Sequence, residues 1–245
     1  MYILAIETTG ATGSVALIDE EGRILGCEKT SDSMSHLKDL IPMIERLLLG
    51  TGVKKEEIAY VAPSIGPGSF TGIRIGVSTA RALAFGLGIS EGIPVPTLQA
   101  FLYKPEADTA RRDKKTVCAV INARRGQVYG VLEGIMPPGP YMMDEVLEKI
   151  KKEIIPKDEK VVFFGDGVDA YGEKIKEALG DMAEFSHESC RQQDAESVAL
   201  CALDILKTEG AVPVTQVLPD YMRKAEAEQK LEAGQLPICK GPKQE

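Results

Sequence analysis

Ser64-Ile65-Gly66-Pro67-Gly68-Ser69-Phe70-Thr71-Gly72-Ile73-Arg74-Ile75-Gly76 is the stretch on which the reading of this chain turns. It follows an apolar run, Ile58-Ala59-Tyr60-Val61-Ala62, with the length and composition of a buried strand. It leads into Ile73 to Leu87, a run of helical length rich in alanine and leucine. Strand, glycine-rich turn and helix together aim backbone N–H groups at an anion. The usual phosphate loops do not fit, however. The second glycine of a P-loop would fall on Thr71 or Ile73, Thr71 stands where a dinucleotide fingerprint needs its third glycine, and no lysine serves the loop. Gly68, Gly72, Gly76, Ala80, Ala84 and Gly88 recur every four residues and form one ridge of small residues. Such a ridge packs either on the chain's own sheet or on a partner's helix.

The bulk properties bound the rest. A chain of 245 residues can bury roughly 70–75% of its unfolded surface, enough for one large domain or two small ones. With 44% hydrophobic and 27% charged residues, the composition is that of an ordinary soluble protein. No run approaches the ~20 apolar residues of a membrane span, and the N-terminus meets Glu7 too early for a signal peptide. Five scattered cysteines, with no metal-ligand or redox spacing, read as reduced thiols of a cytoplasmic protein. The net charge of −8 argues that, if RNA is involved, another subunit grips it.

Along the chain, Ile3–Ile6 and Ser14–Ile18 read as strands flanking a hydroxyl-rich turn, and Glu20–Arg23 turns into a third strand, Ile24–Lys29. Between His36 and Leu49, the side chains of Leu37, Leu40, Ile41, Ile44, Leu47 and Leu48 follow helical spacing, with Pro42 either kinking or starting the helix. Ile93–Thr97 reads as an edge strand, Leu98–Tyr103 as a short helix, and Lys104 to Lys115 as a linker or exposed loop. Thr116–Ile121, the turn Asn122–Gly126 and Gln127–Leu132 repeat the N-terminal strand–turn–strand design. Met136–Pro140 reads as an irregular connector and Asp144–Ile155 as a helix. Lys160–Phe164 is a strand ending at Gly165-Asp166-Gly167, and Tyr171–Leu179 is a helix. Asp194 caps a last helix to Leu206. Arg124 and Arg125 are either an anion site or a solvated turn.

The run from Gly66 to Gly76 resembles the signature of the TsaB (YeaZ) family, the non-catalytic partners in tRNA threonylcarbamoyladenosine synthesis. His36 ahead of Pro42, the turn at Asn122 and the ending Leu218–Lys224 are similar to the same family. The resemblance implies an actin-like ATPase fold: duplicated α/β domains of mixed sheet with flanking helices, with 1–104 and 105–224 as the two halves and 225–245 as a polar tail. It implies pairing with TsaD, which transfers a threonylcarbamoyl group to N6 of the adenosine 3′ of the anticodon, and with the ATPase TsaE. tRNA would be met only through the complex, and a homodimer would form when the chain is alone.

On this reading the partner interface is Leu37, Leu40, Ile41, Ile44, Leu47, Leu48, Gly72, Ile73, Gly76, Val77, Ala80 and Ala84. Gly66, Gly68, Ser69, Phe70, Thr71 and Gly72 form the signature loop. Glu7, Thr8 and Thr9 stand where active relatives of the fold hold a metal–nucleotide complex with an aspartate. No catalytic residue, metal or cofactor of its own is expected, with ATP or ADP placed near the shared surface. The catalytic relatives carry two histidines four apart on the first helix, but here Leu40 follows His36. Where the family has Asp and Glu in the second turn, this chain has Asn122 and Gln127.

Two enzyme readings compete. An ATP-dependent kinase or hydrolase would need cations and carboxylates about the phosphates, and the signature loop supplies no lysine. A peptidase lacks its nucleophile elbow, because Pro67 stands where Ser69 needs a glycine.

Overall fold

The computed structural model describes residues 1–30 and 36–222, with the side chains of 36–38 also outside the described set. The expectations for the His36 and Leu37 side chains, and for the tail from 223 onward, therefore lie outside the described residues.

The first sheet grows from β1 (Tyr2–Glu7), whose four central residues are fully buried on both faces. Ile3 and Ala5 point to one apolar cluster, Leu4 and Ile6 to another. A strand covered on both sides needs such a continuous apolar run rather than alternation. β1 pairs antiparallel with β2 (Ser14–Asp19), which pairs with β3 (Ile24–Lys29). α1 (His36–Thr51) runs through Pro42 and returns to β4 (Ile58–Gly66), parallel to β1. α2 (Phe70–Leu87) follows, capped by Ser69, whose Oγ accepts from Gly72 N at 3.2 Å, and ended by Gly88 at φ +73°. The short strands β5 (Glu91–Gly92) and β6 (Val95–Pro96) both pair with β4.

α3 (Thr97–Phe101) leads to α4 (Pro105–Arg112). The linker expected over Lys104–Lys115 is thus mostly helix. Its few apolar residues suffice because Ala107 and Ala110 alone face the core, and Pro105 occupies the first helical turn, where no N–H is needed. The second sheet then repeats the first: β7 (Thr116–Asn122), β8 (Gln127–Leu132) and β9 (Met136–Met142) form an antiparallel meander. α5 (Met143–Glu153), β10 (Val161–Phe164), α6 (Gly167–Leu179) and β11 (Ala183–Phe185) follow, with β10 parallel to both β7 and β11. The expected connector at Met136–Pro140 is the edge strand β9, where prolines cost no ladder bond on the open side.

The orders β3-β2-β1-β4-β5 and β9-β8-β7-β10-β11 match strand for strand in sequence order and in direction. Each has a helix between its third and fourth strands and another between its fourth and fifth. This duplicated mixed-sheet arrangement is the actin-like ATPase fold. The division at 104/105 needs one correction. α7 (Ala195–Thr208) packs Val198, Cys201 and Ala202 on Ile3 and Ala16 of the first sheet, and β12 (Val212–Pro213) pairs with β5. The chain crosses between the sheets twice, and the second crossing brings α7 to cover the face of β1 and β2 that carries Ile3, Ala5, Ala16 and Ile18.

Candidate functional site

A cleft of about 470 Å³ opens outside the carboxyl ends of the parallel strands, where ligands sit in open α/β sheets. Thr9, Gly10 and Ala11 after β1 and Gly68 and Ser69 after β4 form one wall. Ile121, Asn122, Arg124, Tyr129 and Asp166 form the other, and Gln193, beside Gly10, completes the lining. Asp166 Oδ1 accepts from Asn122 N at 2.9 Å, and Asn122 Oδ1 accepts from Arg124 N at 2.8 Å. Burial raises the Asp166 carboxyl above its ordinary range.

Of the three residues expected to meet a nucleotide, only Thr9 reaches this cleft. Glu7 is fully buried behind it: one carboxylate oxygen accepts from Thr9 N and, at 2.7 Å, from Thr9 Oγ1, and the other accepts from Ser64 Oγ. Desolvation raises its pKa, with those hydrogen bonds opposing. Thr8 Oγ1 donates to Gly72 O at 2.7 Å, so it too faces inward. A metal–triphosphate centre needs carboxylates free to meet the ion. Here Glu7 is closed by its neighbours, which leaves Asp166 as the single carboxylate of the lining. The residues present do not fit that centre.

The signature loop owes its glycines to packing. Thr9 O accepts from Ser69 N at 2.8 Å and stands where a Cβ at Gly68 would lie. Thr8 occupies the space of a Cβ at both Gly72 and Gly76, and Asp220 O that of a Cβ at Gly66. The ridge of small residues therefore lies on the chain's own β1 turn. The segment at Asp220–Tyr221 straps the loop while leaving both rings partly exposed: Asp220 N donates to Ile65 O at 2.8 Å, and the Tyr221 ring lies 4.7 Å from that of Phe70, with Arg74 Nε donating to the tyrosine hydroxyl at 2.9 Å. Thr71 is exposed at the start of α2.

The expected interface is corrected in the same way. Leu40, Ile44 and Leu47 are buried against Leu4, Ile6, Val15 and Leu17. Ile73 and Val77 pack on Val217, while Gly72, Gly76, Ala80 and Ala84 are buried with them. The helical stripe is the core-facing side, as an amphipathic helix on a sheet requires. Of the expected set, Ile41 stays outside at 43% exposure and Leu48 half-buried at the margin, and two residues not in that set stand out beside them, Leu49 at 83% and Phe85 at 89%. Phe85 shares its turn with exposed Ala82 and Gly86, and a Cβ at Gly86 would meet nothing within 4 Å. In the sequence, Leu49 and Phe85 are each one more apolar residue beside a stripe. Gln193 carries no local signal, since its place in the cleft is set by contact with Gly10.

Among the described residues no cluster of His, Cys, Asp and Glu could hold a metal ion, and no helix is long and apolar enough to cross a membrane.

The comparisons agree with this architecture. The model of the family described as "TsaD: tRNA N6-adenosine threonylcarbamoyltransferase" matches residues 28–231. The tRNA threonylcarbamoyladenosine biosynthesis protein TsaB of Bacillus subtilis is 30% identical over 238 residues, covering 94% of this chain and 97% of that protein. The solved structure of YeaZ from Pseudomonas aeruginosa superposes with a TM-score of 0.67 at 26% identity, covering 90% of this chain and 99% of that one. A second Pseudomonas aeruginosa structure, described as similar to peptidase YeaZ, gives 0.71 at 26% identity over 91% and 99%. Sequence, fold and signature loop agree: the chain belongs to the TsaB family of tRNA threonylcarbamoyladenosine biosynthesis, within the wider family that the TsaD model describes.

Proposed function

We propose that this chain is a non-catalytic subunit of the cytoplasmic tRNA threonylcarbamoyladenosine machinery. It pairs with a TsaD-type transferase, alongside TsaE, and supports transfer of the threonylcarbamoyl group to the adenosine 3′ of the anticodon. The observation that carries the reading is the outward apolar set Ile41, Leu49 and Phe85, left on helices whose other faces are already buried in the sheet. Large exposed apolar side chains on adjacent helices mark a protein contact, and two helices offered to two on a relative make a four-helix interface. The inward-turned Glu7 supports the non-catalytic part of the proposal. Any ATP or ADP used by the assembly is assigned to the shared surface or to the other subunits, and tRNA contact to the complex as a whole. In the absence of the transferase the same helices pair two copies of the chain.

Co-purification with the transferase relative, followed by tRNA modification assays with and without this chain, tests the proposal. Complex formation and chain-dependent modification support it. Unaided, metal-dependent ATP turnover by the pure chain would overturn it in favour of an actin-like kinase or hydrolase.

A further inference from the structure

The cleft has no part in the proposed function, yet two of its lining residues carry groups that the protein leaves unused. Gln193 is 8% exposed, and among the described residues nothing hydrogen-bonds to its side-chain amide. A buried amide without partners is costly, and in folded proteins such a group is rarely left so. Gln193 lines the cleft, so the partner it lacks has to come from there. Its Oε1 takes the space of a Cβ at Gly10, which lets the amide sit directly under the turn that follows β1.

The second group is the Arg124 guanidinium, which lines the same cleft and meets no carboxylate among the described residues. Its backbone is held in the left-handed region at φ +64°, followed by Arg125 at φ +54°, a conformation that non-glycine residues adopt at a cost. Asn122 Oδ1 accepts from Arg124 N at 2.8 Å and keeps the turn in that form. Across the cleft, Ser69 caps α2, whose first turn carries no acidic residue, so its partial positive charge is not offset there. Both walls therefore favour an anion.

The charge count limits which anion. Arg124 and Asp166 are the two charged residues of the lining, one of each sign, and the polar remainder is hydroxyl and amide. One guanidinium matches a single negative charge and holds a carboxylate through paired N–H bonds. A dianion would have a second charge facing the Asp166 carboxylate. Asp166 instead suits an N–H donor on the ligand, and the Gln193 amide, which both donates and accepts, suits an amide or a hydroxyl. A volume of about 470 Å³ is ample for a molecule of that kind.

We propose that the cleft binds a small carboxylate of the acylated or carbamoylated amino-acid class, with Arg124 on its carboxylate and Gln193 on its amide. A threonylcarbamoyl group has this make-up: a free carboxylate, a hydroxyl and an N–H beside a carbonyl. The class rests on the cleft itself, and the choice of a threonyl probe rests on the family.

Isothermal titration calorimetry of the full chain with N-carbamoyl-L-threonine tests the proposal. Saturable binding is expected, weakened about tenfold or more in Arg124→Gln and in Gln193→Met. Arg125→Gln, which removes the neighbouring charge outside the lining, is expected to keep the parent affinity. No saturable binding to the folded parent at about 10 mM probe would overturn the proposal. Unchanged affinity in Arg124→Gln would do so too, as would equal weakening in Arg125→Gln, which would assign the effect to net charge. Inorganic phosphate bound as tightly as the probe would overturn the carboxylate class. If Gln193→Met does not fold, as read by circular dichroism, the two arginine variants decide by the same outcomes. Co-purification with the transferase relative is scored separately, so failure of that pairing and failure of this site are told apart.

Discussion

The carbonyl oxygen of Thr8 stands where a Cβ on Gly72 would have to be, and Thr8 Oγ1 donates back to Gly72 O at 2.7 Å. The signature glycine is thus the seat of the β1 turn, and the motif's length reflects how closely α2 must approach that turn.

Gly72→Ala is expected to destabilise the chain by about 2–4 kcal/mol, because backbone rather than a flexible side chain must give way. Gly86→Ala, on the same helix but in open space, should stabilise it by about 0.5–1 kcal/mol. Urea unfolding of the two variants checks both; equal effects would remove the packing account of the motif.

Phe85→Glu and Leu49→Glu are expected to leave the urea midpoint nearly unchanged while weakening association with the transferase relative by about 2 kcal/mol or more, roughly thirtyfold. Ile44→Glu should instead unfold the chain, since Ile44 lies in the core between α1 and the first sheet and an unpaired buried carboxylate has no partner there. Calorimetric titration alongside circular dichroism separates loss of binding from loss of fold.

Glu7 sets one arm of a pH profile. Its folded pKa is raised above the ordinary 4.5 by burial, so the native state keeps the proton longer than the unfolded state does. Stability from this group is complete below pH 4.5 and is lost as pH rises through the folded value. Glu7→Gln keeps an acceptor for Thr9 and carries no charge, so the variant should gain stability relative to the parent as pH rises from about 4 to about 8. Asp194 works the other way: despite its desolvation, Lys104 and the Ser197 bonds hold its carboxyl below the ordinary 3.8. Its contribution is present above pH 3.8 and lost on further acidification. Urea midpoints measured from about pH 3 to about pH 8 should show the Glu7→Gln difference widening upward, and a difference independent of pH would refute the assignment.

Tyr221→Ala is expected to cost about 1–2 kcal/mol, since it removes the ring against Phe70 and the hydroxyl that Arg74 holds. Faster hydrogen exchange at the start of α2, with that of β7–β9 unchanged, checks that the loss is local to the strap over the signature loop.

Much of this protein was legible from local pattern. The buried runs of β1, β4 and β7, the existence of an apolar stripe on α1, the Asp194 cap and the repeated strand–turn–strand units follow from periodicity and capping, which depend on near neighbours. The signature run Gly66–Gly76 was enough to indicate the family. Three things needed the tertiary structure. Helical spacing shows that α1 and α2 each have an apolar side, but only the sheet beneath them decides that Leu40, Ile44 and Ala80 face inward while Leu49 and Phe85 remain outside. Hydrogen bonds from Ser64 and Thr9, 57 and 2 residues from Glu7 in sequence, turn a carboxylate that looked available to a ligand into part of the interior. The second crossing of the chain, which brings α7 to the first sheet and Asp194 to Lys104 over 90 residues of separation, is a long-range pairing, and such pairings leave no periodic mark on the sequence around them.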